Sequence, residues 1–154
     1  MIAVLQRVEQ ASVIADGVPA GAIGQGLFIL LGVLSGDGEE DARLLADKIA
    51  RLRIFTDDND KMNLSVNDVS GGALVVSNFT LAANYAKGNR PDYLNAAPPS
   101  VAEPLYEYFV ALMRERVAEV GTGRFGADMK ISMTADGPVT IVMDSHLLGK
   151  GARK

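Results

Sequence analysis

"LFILLGVLSGDGEEDARLLADKIARL" (Leu27–Leu52) decides the fold class. Its first eight residues are apolar at every position, as expected of a strand buried on both faces rather than one with a wet side. "SGDGEED" then ends the strand with glycines and acids. Asp37, with Glu40 three residues later, has the spacing of a capping box, and predicts a helix over "EEDARLLADKIARL". Ala42, Leu45, Ala46, Ile49 and Leu52 fall on one face of that helix. Acidic residues come first and Lys48, Arg51 and Arg53 last, as the helix dipole favours. A buried strand feeding an amphipathic helix makes a mixed α/β domain.

Working outward, "MIAVLQRV" and "ASVIADG" read as two strands of a meander. "GAIGQG" has glycines at 21, 24 and 26, in neither the order nor the context of a dinucleotide loop, and reads as turns. "TDDNDKMN" is a polar loop. A calcium loop counted from Asp57 would need Gly at position 62 and Glu at 68, where Met62 and Asp68 stand. "ALVVSNFTL" is the next buried strand and "AANYAKGNRPD" a long loop. "PPSVAEP" opens a second helix with Ser100 and Glu103 as a further capping box. Its apolar stripe is Leu105, Phe109, Leu112, Met113, Val117 and Val120. "DMKISM" and "VTIVMD" close the domain as strands.

The expected fold is therefore mixed α/β: strongly curved β-sheets with two main helices packed on one side, a layered α/β/β arrangement. Residues 1–144 form a single domain, with 145–154 a basic C-terminal tail. So much apolar strand for so few helices leaves a sheet face uncovered, and a homodimer would cover it.

Composition bounds the function. The chain has 154 residues, 48% of them hydrophobic, enough for one domain with a core. A net charge of −4 argues against a general nucleic-acid coat, though not against a local basic patch. There is no cysteine, which removes thiol nucleophiles and Cys-based metal sites. The first residues lack the pattern of a signal peptide, and no apolar run approaches the ~20 residues that span a bilayer. The expectation is a cytoplasmic protein with no membrane partner.

Few residues offer side-chain chemistry. His146 is the only histidine, and no nucleophile motif accompanies it. "SNFTL" (Ser77–Leu81) puts two hydroxyls and an amide where a strand ends and backbone amides become free. Such residues either satisfy a turn or receive a ligand. In "GTGRFGADM", Phe125 and Met129 offer apolar surface, and Arg124 could meet a phosphate or a carboxylate. Between the closing strands lies "TADGPVTIVM" (Thr134–Met143). Asp136-Gly137 alone would make a tight turn, so Pro138, which cannot donate to a strand ladder, needs another reason.

Ser77-Asn78-Phe79-Thr80-Leu81 and Gly137-Pro138-Val139-Thr140 together resemble the two signature motifs of the D-aminoacyl-tRNA deacylases, also called D-tyrosyl-tRNA deacylases. The likeness includes "QRV" with Arg7, "RIF", "KMNLSV", "GNRP", "LYEYF" and "TGRFGADM", and ends near Asp144. Two positions depart from the family pattern: Asn78 stands where the first motif usually has Gln, and Ala135 where the second usually has Asn.

The resemblance implies a homodimer that hydrolyses the ester between a D-amino acid and the terminal adenosine of tRNA, without a metal or other cofactor. It implies a cis Gly137-Pro138 bond whose pair enters the neighbouring subunit's site, with consecutive backbone carbonyls facing the substrate ammonium. A D-residue then sends its side chain outwards, an L-residue clashes, and glycine passes. Backbone amides around Phe79 and Thr80 would hold the oxyanion. Thr80 would orient water rather than attack, since no base activates its hydroxyl. Arg7 would brace the Gly-Pro loop, and Phe125 and Met129 would line the pocket. Lys87, Arg90, Arg124 and Lys130, with Lys150, Arg153 and Lys154 of the tail, would meet tRNA. Other readings are a related editing deacylase of relaxed chirality, a non-catalytic RNA-binding dimer, and a serine-type hydrolase that would need His146 near Ser77 or Thr80.

Overall fold

The computed structural model describes residues 1–148. Its strands are β1 (Ile2–Ala15), β2 (Val18–Ile23), β3 (Gly26–Gly32), β4 (Phe55–Thr56), β5 (Met62–Leu64), β6 (Gly72–Ser77), β7 (Glu119–Thr122) and β8 (Met129–Asp144). The helices are α1 (Glu39–Ala50), α2 (Pro99–Arg116) and a short α3 (Ser145–Leu148), with a 3₁₀ turn at Phe79–Ala82.

The expected meander is one long strand. β1 pairs with β2 and β3 along one edge and with β8 along the other. A bulge explains the broken alternation: Val8 lies opposite Ala135 and Gln10 opposite Thr134, so Glu9 is an extra residue. Before it, Ala3 and Leu5 face the helices; after it, Ala11 and Val13 join a second core with Val8, Ile23, Phe28, Leu74 and Val76. One continuous sheet thus curls over itself, and the layering expected of separate sheets comes from that curl. "VPAGAI" is β2 rather than turn. Its Gly21 lies so close to the Thr122 carbonyl that a Cβ there would collide with β7, and the sheet is nearly closed.

β3 is buried along its length, as its composition predicts. It pairs in parallel with β6, and β6 with β7, so each connection crosses over through a helix. α1 and α2 pack together against this part of the sheet. α1 is capped differently from the expectation: the Gly38 amide donates to Asp41 Oδ2 at 2.9 Å, and Asp37 receives the amide of Leu34 at 2.6 Å. α1 ends at Ala50, ahead of Leu52. α2 begins with Pro98 as its cap and Pro99 inside, without a side-chain bond from Ser100 or Glu103. Val120 belongs to β7, not to the helix stripe. "TDDNDKMN" links β4 to β5, with Asp57 accepting from the amides of Asn59 and Lys61.

The last two expected strands are also one. β8 runs antiparallel along β1, interrupted where Gln6 pairs with Thr140 and Val8 with Ala135. Asp136–Val139 leaves the ladder there, directly over Arg7. Beyond Asp144, Ser145 is buried and its amide donates to the Met1 carbonyl. Lys150, Arg153 and Lys154 lie outside the described residues.

Candidate active site

Parallel strands release their chain at the carboxyl ends, where helices do not cover the sheet and ligands commonly bind. Here β6 ends at Ser77, next to the end of β3. A cavity of about 900 Å³ opens there, walled by Leu31 and Val33, by Ser77–Thr80, by Tyr93 and Ala96, by Ala102 and Tyr106 of α2, and by Phe125–Met129 and Ile131.

Its floor is the "SNFT" turn. The Asn78 amide donates to the Leu31 carbonyl at 2.8 Å, tying the turn to β3. Asn78 Oδ1 accepts from the Thr80 amide at 3.1 Å and from the Thr80 hydroxyl. Both Thr80 donors are therefore committed to Asn78. The Phe79 amide has no protein acceptor among the described residues and stands free beside the cavity. Of the two amides expected to hold an oxyanion, only that of Phe79 is without a protein acceptor among the described residues.

The Phe79 ring is 60% exposed and meets Tyr93 edge-on, with centroids 5.0 Å apart. Phe125 lies against Tyr106, whose hydroxyl donates to the Val75 carbonyl at 2.9 Å. Burial pushes the Tyr106 hydroxyl up to about 12, so it is a fixed donor rather than an acid near neutrality. Met129 packs beneath Gly123, where a Cβ would come within 2.6 Å of its sulfur. Asp128 is the one charged residue of the lining, and Lys130 holds it at 3.0 Å. The cavity offers backbone amides, hydroxyls and apolar walls, with no histidine, cysteine, lysine or arginine among its lining residues.

Arg7 braces the Gly-Pro excursion. It is only 8% exposed, and its Nε reaches the Asp136 carbonyl at 3.2 Å and the Asp136 carboxylate at 3.0 Å. Its Nη1 donates to the Ile54 carbonyl at 2.7 Å. That buried, charge-assisted bond is of a class worth ~1.5–3 kcal/mol, whereas the Asp136 carboxylate is half-exposed and screened. The Gly137-Pro138 bond is cis, and both residues are exposed. Neither lines the cavity that holds Phe79. The chain thus carries both signature motifs but does not bring them together at this cavity.

The four expected tRNA cations among the described residues divide into two kinds. Arg124 is bound to Asp16 at 2.6 Å, and Lys130 to Asp128. The Asp128 amide and then Arg124 hold the Asp16 carboxyl below its usual range. Lys87 and Arg90 sit exposed on the loop after the 3₁₀ turn, with no carboxylate partner among the described residues.

His146 lies elsewhere. Its Nε2 is 3.1 Å from Asp37 Oδ1, the atom that also receives the Met1 ammonium at 2.7 Å. The Ser145 hydroxyl accepts from that ammonium at 2.8 Å and donates to Asp41 at 2.7 Å. Asp37, Asp41 and His146 present ligand atoms within 4.8 Å of one another, but this acidic pair already has the ammonium as its cation. The serine-hydrolase reading, which needs His146 beside Ser77 or Thr80, has no support in this geometry. Nothing in the sequence signalled this cluster except Asp37, read there as a helix cap.

Comparisons with known proteins give the family. The family model described as D-Tyr-tRNA(Tyr) deacylase matches residues 4–144. A D-aminoacyl-tRNA deacylase of Anaeromyxobacter dehalogenans is 54% identical over 148 residues, covering 96% of this chain and 99% of the relative. One from Ruegeria pomeroyi is 56% identical over 144 residues, covering 94% and 99%. Among solved structures, the c-Myc DNA Unwinding Element Binding Protein superposes with a TM-score of 0.87 at 39% identity, over 94% of this chain and 98% of that one. A probable eukaryotic D-amino acid tRNA deacylase shares the fold at a TM-score of 0.80 and 17% identity, over 92% and 97%. Matched over nearly its whole length by the family model and by relatives more than half identical, the chain belongs to the D-aminoacyl-tRNA deacylase family, hydrolases of the aminoacyl-tRNA ester bond.

Proposed function

We propose that the enzyme works as a homodimer in which the Gly137-Pro138 pair of one protomer enters the cavity of its partner and admits D-aminoacyl and glycyl esters while rejecting L-esters. The observation that carries this reading is the separation of the two motifs. Gly137 and Pro138 stand exposed on a braced excursion, outside the cavity of their own chain. The surface beside the cavity suits a second copy. Ile131 lines the cavity and, with Met133 and Val142, leaves an exposed apolar row on β8. A partner packed on β8 would cover that row and bring its own groups to the cavity mouth.

The chemistry follows from what the cavity holds. An aminoacyl ester is labile, so a preorganised donor for the developing oxyanion supplies much of what catalysis needs, ~2.7–4 kcal/mol per donor in comparable sites. The free Phe79 amide is that donor. Thr80 is a poor nucleophile because its hydroxyl proton points at an amide oxygen, which is no base. It serves to hold the turn and orient water, and the substrate's ribose 2′-hydroxyl assists. Main-chain carbonyls of the Gly-Pro pair would grip the ammonium and leave one position at the α-carbon open and one walled. Handedness is then read without reading the side chain.

Matched D-tyrosyl-, L-tyrosyl- and glycyl-tRNA test this. The D- and glycyl esters should be cleaved and the L-ester spared. Equal cleavage of D and L would leave an editing deacylase of relaxed chirality, and tRNA binding without cleavage would leave a non-catalytic RNA-binding dimer.

A further inference from the structure

The loop from Ala83 to Asn95 sits at the cavity rim and is built as a presented platform. Its base is a two-way backbone pair, Asn84 amide to Asp92 carbonyl at 2.9 Å and Asp92 amide to Asn84 carbonyl at 3.0 Å. The side chains of the same two residues close it again at 3.1 Å. Asp92 spends its other oxygen on the Leu94 amide at 3.3 Å, and Asn84 Oδ1 accepts from the Ala86 amide at 3.2 Å. The loop's single carboxylate is thereby occupied within the loop, and its two cations are not. Lys87 and Arg90 project from the pinned segment, while Arg124 and Lys130 are neutralised by neighbouring acids.

Aromatics alternate with those cations. Tyr85 is 78% exposed and has no aromatic neighbour among the described residues. Tyr93, at the other foot of the loop, leans on Phe79 and lines the cavity. Leu94 beside it is 85% exposed. On a chain of net charge −4, a ring, two unpaired cations and a second ring leading into a cavity form a track for single-stranded nucleic acid. Rings stack unpaired bases and cations follow the backbone phosphates.

We infer that this loop binds the unpaired nucleotides preceding the terminal adenosine of tRNA, Tyr85 stacking a base and Lys87 and Arg90 holding phosphates, so that the ester is delivered past Tyr93 to the Phe79 amide. The inference rests on the deacylase reading of the cavity. It moves tRNA contact away from Arg124 and Lys130.

The test compares two D-tyrosyl esters, one on adenosine alone and one on the 3′-terminal trinucleotide of tRNA. The readout is kcat/KM of the trinucleotide ester divided by that of the adenosine ester. Lys87→Ala/Arg90→Ala and Tyr85→Ala should each reduce that ratio about tenfold, within the range of a stacking or phosphate contact, and Tyr85→Phe should restore it. The double cation variant should also flatten the salt dependence of log KM by about 1.4, two phosphates on a single strand. A ratio unmoved in all variants would overturn the inference, even if whole tRNA were bound more weakly, since the loop would then touch only the duplex. Cleavage of D-tyrosyl-tRNA but of neither short ester would also overturn the inference, by placing the required contacts in the tRNA body, whereas failure on D-tyrosyl-tRNA itself would overturn the proposed function.

Discussion

Gly137→Ala, paired with a blocked cavity, separates a filter acting across subunits from one acting within its own chain. Gly137 has φ +141°, and a Cβ there would lie 2.5 Å from the Val139 amide nitrogen and 2.9 Å from Val139 Cγ2. The first contact is with backbone, so the excursion itself must move. Residues forced into such conformations cost ~1–3 kcal/mol, and the loop's exposure lets it yield without unfolding the sheet. A shift of about 1 Å in a positioning group costs on the order of 100-fold in rate, so the variant homodimer should keep about 1% of activity. The second variant is Ala127→Trp, which fills the cavity from between Phe125 and Met129. It too should be nearly inactive. Each variant keeps what the other lacks. Co-expressed in equal amounts with different tags, random pairing makes about half the dimers mixed, and each mixed dimer rebuilds one of its two sites. D-tyrosyl-tRNA deacylation should therefore return to about a quarter of the unaltered value, against about 1% for each variant alone. Mixed dimers isolated by both tags but no more active than the parents would refute cross-subunit action.

Thr80→Ala should keep kcat within about tenfold, since the proposed oxyanion donor is the Phe79 amide and the Thr80 amide stays bound to Asn78; a loss beyond about 1,000-fold in a folded variant would make Thr80 a nucleophile. Alkali should destabilise the fold through Tyr106. Its folded pKa of about 12 exceeds the unfolded value near 10, so its contribution is complete below pH 10 and is lost as pH rises through 12, at most roughly 3 kcal/mol. Urea unfolding from pH 9 to 12 should show this slope, and Tyr106→Phe should flatten it. An equal slope in the variant would assign the loss to other groups.

What could be read in the sequence was whatever depends on local pattern. The all-apolar run of β3 and the apolar faces of α1 and α2 are fixed by burial, and they emerged as expected. What failed depended on long-range register. The bulge at Glu9 reverses the facing of β1, and a period-2 pattern reads that reversal as two strands. β2 carries too few large residues to declare itself, and its Gly21 is there for close approach to β7. Val120 keeps helical spacing by coincidence while pairing in β7. The site split the same way. The Ser77–Thr80 turn singled out in the sequence does line the cavity, but which cations are neutralised was not legible, because Asp16 reaches Arg124 across 108 positions.

The Asn78 departure shows why short-range geometry can absorb a change in a signature motif. From residue 78, an Asn side chain reaches the amide two positions on, the ordinary range of an Asx turn. It does so here, and takes the Thr80 hydroxyl as well. The shorter side chain therefore organises the 3₁₀ turn from within, with the turn's start fixed to β3 by the Asn78 amide. With the Thr80 amide capped, the preceding amide, that of Phe79, is left without a protein acceptor among the described residues. In the proposed mechanism charge stabilisation comes from main chain, and side chains serve mainly to keep that main chain still. Asn78 does this for the turn and Arg7 for the Gly-Pro excursion, each by bonding backbone from within the same protomer.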